Sequence, residues 1–123
     1  MKQHDYEHWY IGGHSLGGAM AASYAAAHGS QLSGVFMLAA YPTKPLDENI
    51  MALIIYGSED GVLNMSKLEE SFRYLPDSGE VYMIEGGNHA QFGNYGRQAG
   101  DGNAAVSSQE QQQKTVEWIL MNK

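Results

Sequence analysis

Apolar residues fall along this chain in short runs separated by glycine-rich and polar breaks. Gly34 to Ala40 and Met51 to Tyr56 are nearly unbroken apolar runs, as strands buried on both faces require. Val81 to Ile84 extends the pattern and predicts a strand over 80–84. Trp9, Tyr10 and Ile11 favour extended backbone and predict a first strand over about 7–11. Between these runs the spacing turns helical. The alanine-rich stretch from Leu16 to His28 ends at Gly29, an expected C-cap. Ser66 and Glu69 have the spacing of a capping box, and Pro76 closes a helix over about 66–75. Ser107 and Glu110 repeat that spacing at the start of a last helix, with Val116, Ile119 and Leu120 expected on its inner face. Strand and helix alternate, except that no helix is predicted between 34–40 and 51–56. That order predicts one α/β domain over 1–123, a three-layer arrangement with a mostly parallel sheet of about four strands between helices.

The interval 85–106 breaks this rhythm. Loops of such length are uncommon in compact domains unless they carry function. Gly93, Gly96, Gly100 and Gly102 make it pliable, while Phe92 and Tyr95 give it something to pack. It reads as a loop that presents His89 and borders a pocket, against the plainer reading of a surface connection.

Composition narrows the classes. The net charge is −7, from 14 acidic and 7 basic residues, so nucleic-acid binding is not expected. There are no cysteines, which removes disulfides and thiolate metal sites. No run reaches the length of a membrane span, and the first residues do not resemble a signal peptide. A cytoplasmic protein without membrane association is the expectation. His4 and His8 are four apart with Asp5 between them, but they would share a face only on a helix, and they lead into a strand. No metal is expected. Asn64-Met65-Ser66 fits a glycosylation sequon without other signs of secretion.

Candidate chemistry centres on Gly12-Gly13-His14-Ser15-Leu16-Gly17-Gly18. Gly13-x-Ser15-x-Gly17 is the pattern of a nucleophile elbow, a serine on a strained turn between strand and helix. A side chain at either glycine is expected to clash where backbone passes close to backbone. A serine hydroxyl needs a base to take its proton, and that base needs a carboxylate to orient it. Asp60 follows the third predicted strand and His89 the fourth, at the ends where α/β sheets build their sites. Each has a plainer reading. Ser15 could be a helix N-cap, Asp60 a turn residue with Glu59 the competing carboxylate, and His89 a solvated loop residue. His14 should point away from the serine, so packing or a local hydrogen bond is its expected role.

The segments GGHSLGG, YGSEDGV and EGGNHAQFGNYG, with the chain order Ser, Asp, His, resemble the α/β-hydrolase fold family. The likeness is to its dienelactone-hydrolase-like and esterase-like branch, and to the C-terminal half only. It implies Ser15 as nucleophile, Asp60 as orienting acid, His89 as base and the Leu16 backbone N–H as an oxyanion donor. It further implies a serine hydrolase that acts on a small ester-like substrate without a cofactor. In that family four strands and a loop carrying the second oxyanion donor precede the elbow, whereas here the elbow follows residue 11. The resemblance therefore implies a fragment or split product. The alternatives are a catalytically impaired half-domain acting as a structural module, and a non-catalytic binding protein on the same fold. The interval 41–50 leaves room for only a minimal cap. A bare sheet edge and an uncovered apolar face are expected to drive homo-oligomer formation.

Overall fold

The computed structural model describes residues 10–29, 32–92 and 100–122. The elements are β1 (Tyr10–His14), α1 (Leu16–His28), β2 (Gly34–Leu38), β3 (Met51–Gly57), α2 (Met65–Ser71), β4 (Glu80–Ile84) and α3 (Ser108–Asn122). One 3-10 turn continues α2 over Phe72–Tyr74 and another spans Ala90–Phe92. The four strands form one sheet in the order β1-β2-β3-β4. Every pairing is parallel, with Ile11 beside Val35, Val35 beside Ala52 and Ile54 beside Val81.

Alternation along these strands builds two cores. Val35, Met37, Ala52 and Ile54 pack with Ala21, Ala25 of α1 and Leu68 of α2. The intervening residues Phe36, Leu38, Leu53 and Ile55 turn the other way, towards Trp118 and Ile119 of α3. Two helices thus cover one face and one helix the other, the expected three layers. Leu53, Ile54 and Ile55 are all fully buried. Each such side chain stabilises the fold by roughly 1.5–3 kcal/mol in transfer terms.

Several boundaries differ from the pattern-based expectation. The first strand runs to His14, through the glycines, because Gly12 and Gly13 pair with Phe36 and Met37; residues 7–9 lie outside the described residues. β2 stops at Leu38 instead of Ala40, since Ala39 turns to φ 53. Its N–H still donates to Ile55 O at 2.7 Å. α2 begins at Met65, capped by Asn64, whose side chain accepts from the Lys67 N–H at 3.0 Å. Ser66 therefore sits inside the helix and is not its cap. At α3 the expected cap forms, with the Glu110 N–H donating to Ser107 Oγ at 3.1 Å.

Of the residues expected on the inner face of α3, Ile119 packs inward and Val116 and Leu120 do not. Gln111 and Thr115 are buried, followed by half-buried Trp118 and Ile119, while Val116 and Leu120 are exposed. Gln111 turns inward because it has backbone partners there, described below. Gly29 ends α1 in the right-handed region. Its lack of a side chain serves close packing, since a Cβ would lie 2.5 Å from Asp47 Cβ. Among the described residues no helix is long and apolar enough to cross a membrane.

Candidate active site

β1 ends and α1 begins at Ser15. Its backbone adopts φ 57 and ψ −120, a region L-residues rarely occupy. Two hydrogen bonds hold it there. The Ser15 N–H donates to Leu38 O at 2.9 Å, and Ser15 O accepts from the Ala19 N–H at 2.9 Å. Gly13 is obligatory, because a Cβ would sit 2.4 Å from the Gly17 carbonyl carbon. The expectation for Gly17 needs correction. Among the described residues nothing lies within 4 Å of a Cβ built there, whereas one at Gly18 would be 2.6 Å from Ala40 Cβ. The close contact after the serine falls one residue later than the motif suggests.

Asp60 sits in the turn beyond β3. Its Oδ1 accepts from the Val62 and Leu63 N–H groups at 2.8 and 2.7 Å. Its Oδ2 is 2.8 Å from His89 Nδ1. Glu59 is exposed and accepts from the Ser58 hydroxyl, so of the two candidate carboxylates only Asp60 meets the histidine. His89 follows β4, is 1% exposed, and places Nε2 2.9 Å from Ser15 Oγ. An ionised carboxylate only accepts, so Nδ1 carries the proton and Nε2 is left to accept from the serine hydroxyl. Such a relay can draw a proton from the hydroxyl while the carboxylate steadies the resulting imidazolium.

The histidine loop is fastened by groups that patterning did not single out. Gln111 of α3, fully buried, accepts from the Asn88 N–H at 3.1 Å and donates to Asn88 O at 2.7 Å. Asn88 Nδ2 donates to Gly102 O at 3.1 Å. Asp101 accepts from the backbone N–H groups of His89, Ala90 and Gly61 at 3.1, 2.9 and 3.1 Å. Burial alone would raise the Asp101 carboxyl, but the N–H donors of Ala90, His89, Gly61 and Gly102 outweigh it and hold it below the usual 3.8. In the sequence Asp101 is an acid between two loop glycines, Gly100 and Gly102, which carries no hint of the partner 40 residues away.

His14 bonds across the fold and not to its own neighbourhood in the chain, its partner lying 75 residues away. Its Nε2 lies 2.7 Å from His89 O, where it donates as N–H. Its ring also lies 4.9 Å from that of His89 and 5.6 Å from that of Phe92. Burial lowers its proton affinity below the ordinary 6.5, reinforced by nearby His89 and opposed by the His89 carbonyl, Asp60 and Asp101. A cavity of about 390 Å³ opens beside Ser15 and His89, with apolar walls from Ala19, Ala39, Val62 and Leu63. Leu16, the first residue of α1, also lines it. His4, Asp5 and His8 lie outside the described residues. Among the described residues no group of three or more His, Cys, Asp or Glu is placed to hold a metal ion.

A family model described as the alpha/beta hydrolase family matches residues 1–114. The crystal structure of a predicted CIB-like hydrolase from Thermoplasma acidophilum superimposes with a TM-score of 0.63 at 18% identity. The match covers 91% of this chain and 50% of that one, so the chain spans half the length of that structure. At that identity the likeness is one of fold. No curated protein matches the chain.

Proposed function

Because this chain belongs to the alpha/beta hydrolase family, we propose that it is a serine hydrolase that cleaves ester-like bonds by acyl transfer. The observation that supports this reading is the relay from half-buried Ser15 through buried His89 to buried Asp60. In the proposed mechanism Ser15 Oγ attacks the ester carbonyl while His89 Nε2 takes its proton. Asp60 accepts a hydrogen bond from Nδ1–H and stabilises the imidazolium. The alcohol departs with the proton from Nε2 and leaves an acyl group on Ser15. His89 then draws a proton from water, hydroxide character attacks the acyl carbon, and the acid is released as the proton returns to the serine. The Leu16 N–H is the oxyanion donor that this chain offers directly after the nucleophile. A second donor is worth roughly a hundred- to a thousandfold in turnover elsewhere. The apolar cavity wall supports a small alkyl or acyl group as its occupant, in keeping with the esterase-like and dienelactone-hydrolase-like branch.

The coverage of half of the Thermoplasma structure favours one competing reading, a catalytically impaired module of structural use. Mass measurement after incubation with a fluorophosphonate separates the two. The expected result is a single adduct on the folded chain that is absent from Ser15→Ala. A folded chain that takes no adduct would sink the hydrolase reading and favour the structural one.

A further inference from the structure

The functional reading uses three side chains, and none of them explains how two separate loops stay in register to within hydrogen-bond distance. Asp60 hangs from the turn after β3, and His89 from the loop after β4. The segment 100–102 lies against both. A Cβ on Gly61 would come 2.3 Å from Gly100 O, and one on Gly102 would come 2.1 Å from Glu59 O. Backbone therefore packs directly on backbone, and glycine alone allows it. Into this junction points the carboxylate of Asp101. Its Oδ1 accepts from Gly61, next to the acid, and from His89 itself, while Oδ2 accepts from Ala90. Its own neighbour Gly102 adds a fourth N–H at 2.9 Å.

We propose that Asp101 is a positioning residue that locks the Asp60 turn to the His89 loop and so sets the Asp60–His89 hydrogen bond. The inference rests on the relay serving as a hydrolytic triad for its effect on rate, but its effect on His89 stands without that reading. A carboxylate suits the task because it only accepts and can serve several N–H donors at once. The amide of Asn keeps one acceptor and turns an NH2 group towards an N–H that needs a partner. In Asp101→Asn the Ala90 or the His89–Gly61 side of the junction loses its acceptor, and the histidine loop drifts from Asp60. Small misplacements of this kind cost reactivity far more than they cost binding.

The test compares the wild-type chain with Asp101→Asn, both verified as folded by circular dichroism. One readout is the concentration dependence of fluorophosphonate labelling, which separates the maximal rate from half-saturation. The other is the NMR signal of the His89 Nδ1 proton, which is shifted and protected when it is bonded to a carboxylate. The expected result is at least a tenfold fall in maximal labelling rate, an unchanged half-saturation, and loss of the protected proton signal. If the Asn variant does not fold, Asp101→Ser is measured in its place, with the same expectation. A folded variant with the wild-type rate and an intact proton signal overturns the proposal. If the wild-type chain fails to label, the hydrolase reading falls, and the proton signal alone then decides: present in wild type and lost in the variant upholds the inference, unchanged in both overturns it.

Discussion

His14 shows how much a single side chain in the elbow is asked to do. It donates to the carbonyl of His89, so it steadies the backbone of the residue whose ring faces Ser15. Its burial makes the neutral form favoured. The folded chain therefore takes a proton at His14 less readily than the unfolded chain, whose histidine has the ordinary value of 6.5. Stability from this residue is fully present above about that value and is lost as pH falls towards the lowered one. Asp101 acts in the same sense at lower pH, because its carboxyl is held below 3.8. Urea midpoints at about pH 8 and about pH 5.5 test the first step. The wild-type chain should lose stability between them, and His14→Gln, which keeps a donor for the carbonyl, should lose less. Equal losses in the two proteins would refute this role. The motif and its partners pointed to Ser15, Asp60 and His89, and the fold brings the three side chains within hydrogen-bond distance. It was silent on Gln111 and Asp101, whose partners are backbone groups 23 and 40 residues away. A side chain that binds backbone leaves no residue-type signature at the other end.

At the scale of elements, apolar runs located all four strands, yet their ends were set by neighbours. β1 continues into Gly12 and Gly13 because β2 offers a pairing edge there, although glycine disfavours strands on its own. Packing also decided which face of α3 is inside. Hydropathy favoured Val116 and Leu120, but the buried amide of Gln111 is paired with Asn88 and Gln91, and turning it outward would break those bonds. The junction of α1 with β1 yields a sharp comparison between adjacent glycines. Gly18→Ala forces a Cβ against Ala40 and the Gly13 carbonyl, an overpacking that should cost about 1–3 kcal/mol. Gly17→Ala meets open space among the described residues, and it should be neutral or stabilising by up to about 1 kcal/mol. Denaturant unfolding of the two variants measures this, and a destabilised Gly17→Ala with an unaffected Gly18→Ala would reverse the assignment.

For the whole molecule, the exposed apolar surface is unevenly placed. Leu16 and Met20 are 73% and 65% exposed, and with Tyr24 they form a stripe at four-residue spacing along α1. Val116, Leu120 and Met121 are exposed on α3, across the sheet. β1 pairs only with β2 among the described residues. Stripes and edges of this kind recruit other surfaces, so the chain is expected to self-associate at micromolar concentration. The net charge of −7 opposes association, and added salt should strengthen it. Light scattering that finds a monodisperse monomer at both low and high salt would contradict this. The resemblance to a half-domain implied an uncovered apolar sheet face; the stripe described here lies on α1 instead, opposite Ala21, Ala22 and Ala25, which take the buried side.

The parallel sheet has a further consequence, in time instead of space. The Ser15–His89 contact joins residues 74 apart in sequence, and the His89–Asp60 contact joins residues 29 apart. Parallel strands cannot be zipped from a hairpin, so each pairing closes a long loop before it is rewarded. No local fragment of this chain holds two members of the relay. The relay proposed to activate Ser15 can therefore assemble only after strands far apart in sequence have paired, so refolding should restore fluorophosphonate labelling no faster than it restores the sheet.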